Sequence, residues 1–144
     1  MSLKQISVFV ENKPGKMQHL TQVLADHQVD MRALSLAETS DFGIVRIIVD
    51  DVYAASTMLQ DEGFIHTVNK VLGVAIPDEP GGLNTVLAVL SEAQINVEYM
   101  YAFMGGKDVS HAYMIFRVED RKAAVAALGA KGIRCIDQDE LDQM

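Results

Sequence analysis

The chain contains an internal repeat. At a shift of 66 residues, Val8-Phe9-Val10-Glu11-Asn12-Lys13-Pro14-Gly15 falls on Val74-Ala75-Ile76-Pro77-Asp78-Glu79-Pro80-Gly81, Leu24 on Leu90, Val29 on Ile95 and Asp30 on Asn96. Further along, a shift of 69 aligns Val49-Asp50-Asp51 with Val118-Glu119-Asp120 and Gly63 with Gly132. Three residues were therefore inserted near Gly105-Gly106-Lys107-Asp108. A repeat of this period constrains the fold strongly, because each copy must be one supersecondary unit. Residues 1–69 form the first copy and 70–144 the second, with only 138–144 left outside the pattern.

Each copy opens on an apolar, strand-like run, Gln5–Val10 or Lys70–Ile76, closed by a polar residue, a spacer and Pro-Gly. A helix follows, since Met17, Leu20, Val23, Leu24 and Leu83, Val86, Leu87, Leu90 recur at steps of three and four. The β-branched and aromatic segments Met31–Thr39 with Phe42–Val49, and Val97–Met104 with Ser110–Val118, read as hairpins across Ser40-Asp41 and Gly105-Gly106. Asp51 and Asp120 mark a second helix with Val52, Ala55, Met58, Leu59 or Ala124, Ala127, Leu128 facing inward, and Gly63 and Gly132 end it. A last strand, Phe64–Val68 or Ile133–Ile136, completes βαββαβ twice. The predicted class is α+β: two ferredoxin-like repeats, each an antiparallel sheet with its helices on one face. Strand alternation sets Tyr99, Tyr101 and Phe103 on one face and Met100, Ala102 and Met104 on the other, with Tyr113 and Ile115 opposed to Ala112, Met114, Phe116 and Val118. One apolar face of the second copy then lacks helices of its own. That face, and the marginal size of each copy, predict at least a homodimer.

Composition removes several function classes. Twelve Lys and Arg against twenty Asp and Glu give a net charge of −8, the wrong sign for a nucleic-acid surface. No apolar run reaches the length of a membrane span, and the first residues lack the core of a signal peptide, so a cytoplasmic protein is expected. Cys135 is the single cysteine and reads as a small buried apolar residue. His19, His27, His66 and His111 have no metal-ligand spacing, so neither metal nor cofactor is predicted. No Ser or Cys shows a base at a telling spacing, and the reading is non-enzymatic. An acylphosphatase-like use of this topology would need an arginine in the first loop, and 12–16 holds none.

An apolar strand ending in Asn or Asp, then a spacer, Pro-Gly and an amphipathic helix, resembles the opening of ACT domains. The motif occurs twice, as Asn12-Lys13-Pro14-Gly15 and Asp78-Glu79-Pro80-Gly81-Gly82-Leu83, and the resemblance covers nearly the whole chain. Asp30 and Asn96 match a second polar position of the family. The resemblance implies a stand-alone regulatory protein that binds a small molecule, usually an amino acid, at this loop and a domain or subunit interface, with a metabolic enzyme regulated in trans as its partner. Amino-acid-sensing members often carry a histidine two residues before the Asn; Val10 and Ile76 stand there instead.

The residues support this chemistry on their own terms. Helix-start amides at Gly15, Lys16 and Met17 lack internal partners and suit a carboxylate. Asn12 is expected either to cap the helix or to bind the ligand, and Asp30 to attract an ammonium group. Lys13 and Lys16 favour a carboxylate where Asp78 and Glu79 repel it, so the two loops should differ. Asn or Asp before Pro-Gly is equally good turn chemistry, which leaves a structural role open. Met100, Met104 and Met114 suggest a flexible apolar wall, and hence an apolar amino acid. The alternative is a protein–protein interaction module with no small ligand. Gly105-Gly106-Lys107 lacks phosphate-loop spacing and is read as a flexible turn or lid.

Overall fold

The computed structural model describes residues 1–104 and 110–144, which divide into two compact units: Lys4–Asn69, and Lys70–Met144 together with Met1–Leu3. The expected Gly105-Gly106 turn and lid lie outside the described residues.

The first unit is built from β1 (Leu3–Glu11), α1 (Lys16–Asp26), β2 (Met31–Glu38), β3 (Phe42–Val49), α2 (Val52–Asp61) and the beginning of β4 (His66–Pro77). β3 pairs antiparallel with both β1 and β2, in a register that sets Val10 opposite Gly43 and Leu36 opposite Val45. The amide of Phe9 donates to the carbonyl of Ile65 at 2.9 Å, which brings the closing segment beside β1. Alternation turns Ile6, Val8, Val10, Val45, Ile47 and Val49 to one face, where they bury against Leu20, Val23 and Leu24 of α1 and Ala55, Met58 and Leu59 of α2.

The second unit repeats the plan with the rest of β4, then α3 (Gly82–Glu92), β5 (Val97–Ala102), β6 (His111–Val118), α4 (Arg121–Ala130), β7 (Cys135–Ile136) and α5 (Gln138–Asp142). Its strand order is β7-β4-β6-β5. Leu72, Val74, Ile76, Phe116 and Val118 meet Val86 and Leu90 of α3 and Ala124 and Leu128 of α4. Asp51 and Asp120 cap α2 and α4, each accepting from the amide three residues on at 3.0 Å. Gly63 and Gly132 end these helices at φ 83 and 74, the left-handed conformation that glycine adopts without strain.

Two expectations change. The runs Phe64–Val68 and Lys70–Ile76 belong largely to one strand, β4, because nothing at Asn69 breaks extended backbone. The 138–144 tail folds as α5, with Asp137 accepting from the Glu140 amide at 2.8 Å and Arg134 paired to Glu140. Among the described residues, no helix is long and apolar enough to cross a membrane.

Candidate ligand site at the first repeat loop

The turn between β1 and α1 is held to the β2–β3 hairpin by Asn12. Its amide donates to the Asp41 carbonyl at 3.1 Å and its side-chain Nδ2 to the Thr39 carbonyl at 3.0 Å. Asn12 therefore does not cap α1. Gly15 occupies the cap position at φ 83 and no side chain caps the helix, so its first amides are left without a capping group. Lys16 donates back to Lys13 at 3.3 Å, and His19 to Gly15 at 3.0 Å begins the helical ladder.

Beside this turn lies a small hollow of about 70 Å³, lined by Val10, Glu11, Asn12, Lys13, Met17, Leu36, Glu38 and Gly43. Its floor exists because Gly43 has no side chain: a Cβ there would lie 2.9 Å from Leu36 Cδ1, which folds over the glycine. Three predicted residues, Asn12, Lys13 and Met17, line the hollow, and Pro14, Gly15 and Lys16 form the turn next to it. Sequence reasoning missed Leu36, Glu38 and Gly43. A glycine within a β-branched strand was the available signal.

Charge at the mouth is mixed. Glu11 pairs with Lys13 at 2.9 Å and Lys16 at 3.7 Å, and the Lys13 hydrogen bond, followed by the two positive charges, holds its carboxyl below the ordinary glutamate range. Glu38 has no ion pair among the described residues.

Asp30 is not part of this site. Asn12 lies level with Asp41 on β3, whereas Asp30 lies level with Asp50, whose amide donates to the Asp30 carbonyl at 3.1 Å. Nine residues of strand separate these levels, roughly 30 Å at about 3.3 Å per residue. Asp30 pairs instead with Arg32 at 3.4 Å. The expected Asn12–Asp30 ammonium site is thus set aside within one unit, because β1 and β2 run parallel and their starts share the far end of the sheet. Asn96, at the start of β5, stands equally far from Asp78, which follows the end of β4.

The second loop repeats the turn. Asp78 donates to Ser110 at 3.0 Å, Gly82 to Glu79 at 3.1 Å and Thr85 to Gly81 at 3.0 Å. Gly81, at φ 85, again starts the helix, and Pro80 is exposed while Leu83 packs partly on the core. Gly82, named with the motif, leaves no room for a ligand: a Cβ there would lie 2.2 Å from the carbonyl oxygen of Pro77, so the chain itself fills the space. Met100, Met104 and Met114 belong to the second unit, whereas the hollow lies wholly within the first, so they do not line it.

A wider, open groove of about 840 Å³ lies in the second unit along Lys70, Gln94, Ile95, Asp120 and Arg121. It is at the sheet end opposite the second loop. The histidines are engaged locally: His66 with Ser56 at 2.7 Å, His27 with the Val23 carbonyl at 2.9 Å, His111 with Ser110 at 3.0 Å, and His19 stacked on Phe64. Burial pushes the Cys135 thiol up. Among the described residues, no three His, Cys, Asp or Glu converge on a metal position.

The family described as ACT domain pair matches residues 1–144. The chain belongs to this family, whose paired domains are a regulatory module. A structurally characterised protein from Bacteroides thetaiotaomicron is 33% identical, with a TM-score of 0.90 over 100% of this chain and 98% of that one. The ligand-free regulatory subunit of aspartate kinase from Thermus thermophilus shares the fold at 15% identity and TM-score 0.61, covering 88% of this chain and 90% of that one. Aspartate kinase from Synechocystis does so at 19% identity and TM-score 0.58, over 89% of this chain and 25% of that one. No curated protein matches the chain.

Proposed function

We propose that this protein is a non-catalytic regulator, acting in the cytoplasm, that binds an apolar amino acid at the first repeat loop and relays its presence through a homodimer or to a metabolic enzyme. The hollow lined by Val10, Met17, Leu36 and Gly43 carries the reading, because apolar walls meet a polar rim beside the start of α1. The amides at Gly15 and Met17, with the Lys13 and Lys16 side chains nearby, suit the carboxylate, while the Lys16 amide is already spent on Lys13. Glu38 replaces Asp30 as the group for the ammonium. Leu36, 55% exposed at the rim, offers apolar surface for a wall supplied by a second chain.

Calorimetry tests this. Leucine or phenylalanine should bind more tightly than serine, and Glu38→Gln should weaken the free amino acid at least tenfold, about 1.4 kcal/mol, while sparing its desamino analogue. No heat with any amino acid would refute the reading and favour an interaction module. That second reading has one specific support: Phe9 and Phe42 stack edge to face at 6.5 Å on the helix-free side of the first unit while 37% and 44% exposed.

A further inference from the structure

We infer that the protein binds one ligand per chain, at the first loop alone, and that the second loop is a closed structural copy of it. The inference rests on the amino-acid reading of the first loop. Both loops make the same turn, with Lys13 donating to Glu11 at 3.0 Å and Glu79 to Pro77 at 2.9 Å, so any difference in function must come from side chains.

Three differences point the same way. Gly82 lets the start of α3 press onto the Pro77 carbonyl, with a hypothetical Cβ only 2.2 Å from that oxygen. Lys16 holds the matching position in the first loop. A side chain at that position needs about 3 Å between its Cβ and the preceding strand's carbonyl, a separation that Gly82 does not keep from Pro77. The floor changes as well. Gly43 and Val10, which shape the hollow, become Ala112 and Ile76, each larger by one carbon. Charge completes the contrast: the first loop carries Lys13 and Lys16 against Glu11, whereas the second carries Asp78 and Glu79 with no cation between 77 and 83. A carboxylate ligand meets net positive charge at one turn and two like charges at the other.

Amide chemical shifts of the isotope-labelled protein, titrated with L-leucine and separately with L-phenylalanine, test this. Saturable shifts are expected at Gly15, Met17 and Gln18, with none above noise at Gly81, Gly82 and Asn84, and calorimetry should return one site per chain. Lys16→Glu should weaken binding at least tenfold and Glu79→Ala leave it unchanged, with both variants keeping the parent's spectrum elsewhere. Saturable shifts at both loops, or two sites per chain, would overturn the inference while sparing the proposed function. Silence at both loops with either amino acid would overturn both.

Discussion

Gly82→Ala tests the closed second loop without any ligand. The added methyl would sit 2.2 Å from the Pro77 carbonyl oxygen and 3.3 Å from its carbon, and both partners are backbone. Neither can rotate away, since the Gly82 amide is tied to Glu79 at 3.1 Å and the Glu79 amide to Pro77 at 2.9 Å. Relief requires α3 to move by most of an ångström against a core that buries Val86 and Leu90. Overpacking of this kind costs about 3 kcal/mol at the rigid end of its range. Replacing glycine by alanine in a helix returns about 1 kcal/mol, which leaves a net loss of about 2 kcal/mol. In a unit of this size each kcal/mol moves Tm by about 4–8 °C, so a drop of roughly 8–16 °C is expected by calorimetry. Gly129→Ala serves as the control: nothing lies within 4 Å of its Cβ position in α4, and the variant should melt at or slightly above the parent. A Gly82→Ala protein melting within a degree of the parent would show that α3 yields freely and that the close approach closes nothing.

The two helix caps should respond alike because their geometry is repeated: Asp51→Ala and Asp120→Ala should each cost about 0.5–2 kcal/mol in urea unfolding with little change in m. A loss at only one would mean that the units differ in more than their loops. Glu11 should titrate below the exposed glutamates by carboxyl NMR and return toward them in Lys13→Ala, since Lys13 is the leading cause of its lowered pKa. Because the folded value is depressed, the pairing stabilises above the ordinary glutamate range and fades as pH falls through the lowered value. Its partners are exposed, so half-molar salt should remove most of the effect.

Most of the fold was legible because the repeat supplied each element twice. Asp51 and Asp120, and Gly63 and Gly132, fixed helix boundaries through local chemistry that needs no tertiary information. The ends of α1 and α3 were harder: the chain turns through left-handed Gln28 and Gln94, at φ 55 and 58, where no glycine announces it. The α5 helix does carry a local signal, Asp137 three residues before Glu140, but it falls outside the repeat that identifies the other elements. The site was legible only in part. Asn12, Lys13 and Met17 are contiguous with the motif, but Leu36, Glu38 and Gly43 reach the hollow through the β2–β3 register, which pairing decides and one-dimensional spacing cannot. Asp30 failed for the same reason: adjacency to the end of α1 says nothing about which end of the sheet it joins.

The size of the hollow bears on how a signal could leave the protein. Small-molecule sites usually enclose about 300–1,000 Å³, whereas this one holds about 70 Å³. An amino acid anchored at the first turn can therefore place only part of itself within the first unit. In the proposed reading the rest is covered by a second chain against Leu36. Coverage by a second chain makes binding and association one linked equilibrium, in which the ligand tightens the assembly by the same factor as the assembly tightens the ligand. With no moving part inside the unit required, the state of assembly can itself be the output that a partner enzyme reads.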